Sequence, residues 1–539
     1  MSDNELLGES VMSSSLYYPD QASSEGDRFG ISRRDLLVLG ALGLAIGVPR
    51  SAAAEPQGQL TWGVHVSLAP TWFDPAETPG VITPFMIMYA LHDAMVKPMP
   101  DQVLAPSLAE SWSASEDGLA YEFVLRKNAK FHNGDPVSAD DVKFSFERYR
   151  GTSHDMMKER VASIEVLDAQ HVRFKLKAPW PDFLTFYGSA TGAGWVVPKK
   201  YLEKVGDDGF KRAPIGAGPY KFISFAPGVE MVFEAFDQYW RKTPRVKRLI
   251  LKIIPDETTR LAALKGGEVD IIYSIRGELA SELRNTPGLT LKPTVVLGAF
   301  HLNFPDQWDP KSPWYDQRVR KAASLAIDRK TTNDALTLGY SKVTGSMIPY
   351  NFEFFWQPPL PEYDPKQAKK LLAEAGYPNG FDAGDYYCDI TYANLAEAIL
   401  DNLLAVGIRT KLRPLERAAF FSGYGEKKFK NIIQYASGAF GNAATRIEAF
   451  VAKGGAYVYG SYPDIDDLFQ QQATVLDYKK REAILHKIQQ LMYERTITAP
   501  IWQLAFINGF GSRVAESGIG LIPSYTYSAP YEDIALKST

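Results

Sequence analysis

Cysteine is nearly absent: Cys388 is the single one in 539 residues, so intramolecular disulfides cannot form and zinc sites built on paired cysteines are excluded. The seven histidines, at 65, 92, 132, 154, 171, 301 and 486, never fall at the i, i+4 spacing that sets two imidazoles on one helical face. Each reads as a surface or capping histidine, and no metal site is expected. A Gly-x-Ser-x-Gly elbow is missing. Gly216-Ala217-Gly218-Pro219 has no phosphate-loop lysine, and its proline removes a backbone donor that a phosphate would use, which leaves a tight turn. The acidic pair Asp140-Asp141 belongs to Ser138-Ala139-Asp140-Asp141, a capping box whose carboxylates suit a first helical turn. With no catalytic constellation and no cofactor motif, the chain does not read as an enzyme. Charge of one sign is lacking too: 59 basic and 63 acidic residues nearly cancel, without a long one-sign run, which argues against nucleic-acid or anionic-membrane binding.

The length and a 45% apolar content suffice for a large core in two or more domains. Aromatic residues, at 12%, suit such a core, a ligand cavity walled by rings, or both. At the N-terminus, Ser32-Arg33-Arg34-Asp35-Leu36-Leu37 leads into an apolar run from Leu36 to Val48 and then Ser51-Ala52-Ala53-Ala54-Glu55. The run has the length of a signal core and falls short of the ~20 residues that span a bilayer. Residues 1–54 thus read as a leader and signal peptide cleaved before Glu55. The paired arginines resemble a twin-arginine signal, whereas Asp35 and the missing basic residue after the leucines leave general secretion open. With no cysteine near the cleavage point, lipid attachment there is excluded. A soluble periplasmic protein is expected.

Along the rest of the chain, Val172, Phe174 and Leu176 alternate with charged residues, as do Phe123 and Leu125, which marks half-buried strands. Asp364-Pro365 caps a helix with Ala368, Leu371, Leu372 and Ala375 on one face and a stop at Gly376. A second helix carries Leu395, Ile399, Leu403 and Val406, stops at Gly407 and runs into a strand from Ile408 to Arg413. A third starts near Asp477 and ends before Pro500. The fold class is α/β, with a mixed α+β first half.

Several segments together resemble the peptide/nickel family of ABC-importer solute-binding proteins. They are Leu104 to Trp112, Asp117-Gly118, Tyr121 to Arg126, Phe131-His132-Asn133-Gly134 with Ser138 to Val142, Ile215 to Tyr220 with Asp237-Gln238-Tyr239-Trp240, Arg260 to Leu264 with Gly267 to Asp270, Asp316 to Ala322 with Ala326 to Arg329, and Tyr363-Asp364-Pro365 to Gly376-Tyr377. Read locally, most of these residues are caps, turns and core faces. The resemblance implies a two-lobed periplasmic-binding fold with a large first lobe, 58–299 plus 505–539, and a second lobe, 300–504. The chain would cross near Phe300 to Phe304 and return near Trp502, and the lobes would close on a ligand. It also implies a monomer that delivers a small molecule to an ABC permease and its ATPase. Residues facing the cleft in relatives correspond to Trp72, Phe73, Trp195, Tyr435, Phe440, Asn442, Arg446 and Trp502. Peptide-binding relatives carry a carboxylate for the peptide ammonium where this chain reads Tyr435 to Asn442 without one, so the ligand is expected not to be a simple free-amine peptide. The alternatives are a dipeptide- or oligopeptide-type carrier, a periplasmic sensor or chaperone, and a hydrolase on this scaffold.

Overall fold

The computed structural model describes residues 55–78, 83–151, 154–436, 441–523, 525 and 527–538. The export segment with Arg33 and Arg34, and Phe440, lie outside these residues. Local sequence accounts for the elements well. Asp364 accepts from the Gln367 amide at 2.8 Å and opens the helix Pro365–Glu374, which buries Ala368 and Leu372. Gly376 then takes φ +95°, as does Gly407 after the helix Ala393–Ala405; a Cβ at Gly407 would also stand 3.0 Å from the Gly380 backbone. Asp477 caps Tyr478–Glu494, which buries Leu485, Ile488 and Met492. At the capping box, Asp141 accepts from the Ser138 amide at 2.9 Å and from its hydroxyl at 2.6 Å.

The fold is α/β and two-lobed, built on an 11-stranded sheet. On one side stand Tyr220–Ala226, Glu230–Ala235, Val246–Ile253, Gln57–Val64 and Ile271–Ile275, and on the other Ile432–Tyr435, Phe381–Asp389 and Ile408–Leu415. Two long antiparallel strands, Leu289–Asn303 and Thr498–Gly511, join the two sides. Their pairing is regular from Leu289 opposite Gly511 to Val295 opposite Ala505, shifts before Ala299, and continues through Phe300 opposite Trp502. A separate four-stranded antiparallel sheet, ordered Ala109–Ala114, Ala120–Leu125, His171–Leu176 and Val161–Val166, has its own core of Phe123, Phe174, Phe183 and Tyr187.

Three buried arginines staple loops to these elements. Arg260 donates to the carbonyls of Tyr273 and Ile254 at 2.7 Å, of Pro255 at 2.9 Å, and of Ser274. Arg320 reaches the carbonyls of Trp314, Tyr315, Thr496 and Arg495, and Arg329 those of Ser324, Ile327 and Pro500. A guanidinium has five donors in a rigid fork, so one side chain can satisfy several otherwise unpaired carbonyls.

Two local expectations are corrected. Gly216 to Pro219 does not close on itself as a tight turn. It lies as a bend against the end of the helix Phe85–Leu91, where the Gly218 amide reaches the Leu91 carbonyl at 3.1 Å and a Cβ at Gly216 would stand 1.9 Å from that oxygen. Backbone contact this close excludes any side chain. His92 is a capping residue, at the C-terminal end of Phe85–Leu91, whereas His301 is neither capping nor at the surface but buried, because its neighbours in space, Tyr435 and Phe450, are distant in sequence. Cys388 is buried as well, and burial pushes its thiol up to about 12.

Candidate functional site

Parallel strands decide where the site lies. Gln57–Val64 runs parallel to Val246–Ile253 and Ile271–Ile275, and Phe381–Asp389 runs parallel to Ile408–Leu415 and Ile432–Tyr435. In such sheets the crevice opens beyond the carboxyl ends of the strands. There His65 follows its strand directly, Arg276 follows Ile271–Ile275, Asp389 and Tyr435 close theirs, and Arg417 lies just past Leu415.

These residues meet in a cluster of rings. The His65 imidazole stacks on Tyr527 at 5.4 Å and lies 6.1 Å from Tyr273 and from Phe506. Tyr273 packs in turn on Trp62 at 4.8 Å, and Trp62 on Tyr531 at 5.9 Å. A second group surrounds Tyr435, with Tyr424, Phe450, Tyr457 and Phe421 at 5.1 to 5.8 Å. Between the two stands the turn from Asp389 to Tyr392, whose Tyr392 ring packs on Phe300 at 4.8 Å and is coupled through its hydroxyl to Tyr527.

Polar atoms inside the first group lack protein partners. Both ring nitrogens of His65, the hydroxyls of Tyr273 and Tyr531 and the indole nitrogen of Trp62 are closed off from solvent without a hydrogen bond. An unsatisfied buried group costs about 1–3 kcal/mol, so their concentration at one crevice marks a place completed by a polar occupant. Burial first, and then the charges of Arg260, Arg276 and Arg417, hold the His65 imidazole well below its ordinary value. At neutral pH it is therefore uncharged, with one donor and one acceptor.

Cations border the same space. Arg276 donates to the Thr391 carbonyl at 3.1 Å with its guanidinium 5.5 Å from the Tyr392 ring, and Arg417 binds Asp389 at 2.7 Å. The Arg417 side chain is 39% accessible, and Tyr392, Tyr527 and Tyr435 lie near its charge. A cavity of about 420 Å³ elsewhere, lined by Lys321, Trp356, Pro359, Leu371, Gln489 and Tyr493, differs in kind. Its most deeply buried polar side chain, Gln489, is already bonded to Trp356, Phe354 and Leu485.

Residues 103–458 match the family described as bacterial extracellular solute-binding proteins, family 5, middle. That match covers more than half of the chain. The chain belongs to this family. The heme-binding protein A of Haemophilus influenzae is 30% identical over 343 residues, 57% of this chain and 61% of that protein, so this alignment spans less than two thirds of that relative. A di/tripeptide-binding protein of Pseudomonas aeruginosa is 28% identical over 409 residues, 69% of this chain and 75% of that one. In fold the chain is similar to NikA of Brucella suis, solved with Fe(III)-EDTA: TM-score 0.78, 24% identity, 89% of this chain and 100% of that one. Family members are binding proteins. No helix among the described residues of this family 5 protein is long and apolar enough to cross a membrane.

The residues singled out from the sequence of this family 5 protein are spread over several environments. Trp72 is half-buried, and Phe73 packs on Phe222 and Phe225 at 5.8 and 5.3 Å. Trp195 lies between Phe85 and Tyr89, and Trp502 is wholly buried in its strand. Asn442 caps the helix Ala443–Phe450 and donates to Asp182 at 2.6 Å. Arg446 lies 5.1 Å from the Phe352 ring beside Tyr435 and Tyr457, its guanidinium lowered to about 10 by burial. Tyr435 and Arg446 are thus together at the second ring group. His65, Tyr273, Arg276, Tyr392, Arg417 and Tyr527 escaped the sequence reading. Their signal is positional, since most of them leave the ends of strands, and it appears only when the strands are known to be parallel.

Proposed function

We propose that this chain is the exported substrate-binding component of an ABC importer, which captures a small solute between two lobes and hands it to a membrane permease and its ATPase. The observation that carries the reading is the unpartnered His65 imidazole with the Tyr273 hydroxyl, in a ring cluster that reaches through Tyr527 to Tyr392, just past the end of Phe381–Asp389. The lobes would be 58–299 with 505–539, and 300–504. The register breaks near Val295 and Phe300 suit bending between them, because each break removes ladder hydrogen bonds where the two long strands cross. Export by a cleavable, twin-arginine-like signal to the periplasm, without a lipid anchor, and action as a monomer belong to the same proposal.

The solute is, on this reading, not a simple free-amine peptide. An ammonium group buried in a closed cleft needs an opposing carboxylate. Glu448 is engaged by Arg160 at 2.8 Å, Asp464 by Arg495 at 2.6 Å, Asp389 by Arg417, and Asp182 by Arg481 and Asn442. The test is mass spectrometry of small molecules extracted from protein purified natively from the periplasm. A stoichiometric solute, absent from a His65→Phe and Tyr273→Phe double variant prepared in the same way, is the expected result. Free-amine peptides as the bound species would overturn the ligand reading, and equal loading of the variant would overturn the site.

A further inference from the structure

We infer that the solute is an organic anion whose carboxylate is shared between Arg276 and Arg417, with its body among the rings of His65, Tyr273 and Tyr527. The inference rests on the ring cluster being the ligand cleft. Its ground is a juxtaposition: two guanidiniums 141 positions apart in sequence converge on one turn from different elements. Arg276 comes from the end of the strand Ile271–Ile275 and donates to the Thr391 carbonyl at 3.1 Å. Arg417 opens the helix Arg417–Gly425 and binds the Asp389 carboxylate at 2.7 Å.

Several charges gather around this turn. Arg260, Arg276 and Arg417 stand against Asp389, Asp256 and Glu257, the last 3.5 Å from Arg276. Arg260 is 1% exposed and donates to backbone carbonyls, with the charges of Glu257 and Asp256 acting on it without a direct hydrogen bond. Arg276 and Arg417, the two guanidiniums that converge on this turn, favour an anion there and oppose a cation. Asp389 is also partly committed elsewhere, because its other oxygen accepts from the Thr391 amide at 3.0 Å. Only one Arg417 nitrogen is used by Asp389, and the accessible remainder of the fork is free to meet a carboxylate. The planar cation over Tyr392, the uncharged imidazole and the Tyr273 hydroxyl suit an unsaturated or hydroxylated body.

The test uses the mature protein in a thermal-shift screen of matched pairs: aromatic and aliphatic carboxylic acids, N-acetylated dipeptides, and the primary amide of each, with free amines alongside. Calorimetry follows on the strongest pair. Stabilisers that are acids, with each amide at least tenfold weaker, are the expected result. Arg417→Gln and Arg276→Gln should then weaken the acid by about 10- to 100-fold while changing the amide little, as for loss of a charge-assisted hydrogen bond. The acid–amide comparison needs no variant, so a misfolded variant does not affect it. Neutral or cationic stabilisers, or equal binding of acid and amide, would overturn the anion and leave the binding function standing. A screen with no stabiliser in any class would overturn both.

Discussion

Two buried polar regions of this protein are built in opposite ways. Around Asp93, which is 0% exposed, every strong group is met: its carboxylate accepts from the Ala94 amide at 2.9 Å, Ser107 at 2.5 Å, Tyr239 at 3.0 Å, Trp240 at 2.7 Å and Lys97 at 2.8 Å. Lys97 in turn lies 5.0 Å from the Tyr89 ring and 5.8 Å from Trp195. Around His65 the aromatic content is similar, yet imidazole nitrogens, hydroxyls and an indole nitrogen are left unmet. Saturation makes a polar cluster structural, because its members are worth more in place than apart. Incompleteness at the carboxyl ends of parallel strands marks a cluster kept for something else.

The comparison can be broken at its strongest point. Asp93→Ala removes one partner of a buried pair and leaves Lys97, 2% exposed, without a counter-charge. We predict a loss of about 3–5 kcal/mol in urea unfolding. A loss below about 1 kcal/mol would mean that the saturated network is not structural.

Acid offers a second lever. Burial lowers His92 and His301 from 6.5 to about 4 in the folded protein. Above pH 6.5 both states are neutral and these groups cost nothing. Below it the unfolded chain takes up protons that the folded one refuses, so stability falls as pH drops, until the folded histidines titrate near 4. Between pH 6.5 and 4.5 each should account for ~2 kcal/mol of lost stability. Unfolding free energies of His301→Asn should therefore fall less steeply with acid than those of the unsubstituted protein, and parallel curves would refute the assignment.

The smallest expected effect lies on the other side of the comparison. Tyr273→Phe deletes a buried hydroxyl that bonds to nothing in the protein, so the ligand-free fold should lose no stability and gain about 1 kcal/mol. Solute affinity should nevertheless drop. A large stability loss with unchanged affinity would make the His65 cluster structural after all.

Much of the fold was legible because its signals are short-ranged. Asp364 before Pro365, Gly376 and Gly407 after their helices, and Asp477 before Tyr478 act through bonds within four residues, and each does in the structure what its position suggested. Arg260, Arg320 and Arg329, part of the segments that carried the family resemblance, are staples to carbonyls, in keeping with a scaffold reading of those segments. The site was much less legible. Trp195 was taken from a segment that faces the cleft in relatives, and in the structure it packs against Phe85 and Tyr89. His65 was dismissed for want of a partner at helical spacing, while its true neighbours are Tyr273, Phe506 and Tyr527.

From its residues alone, then, this chain was assigned its family resemblance, its α/β class and the limits of three of its helices, since caps, periods and stops are written in neighbouring positions. Which side chains share a crevice was decided by sheet order, which places Ile271–Ile275 beside both Gln57–Val64 and Thr498–Gly511. That order brings strand ends hundreds of residues apart to one place, and burial there, not residue type, turns a histidine, two arginines and several tyrosines into a site.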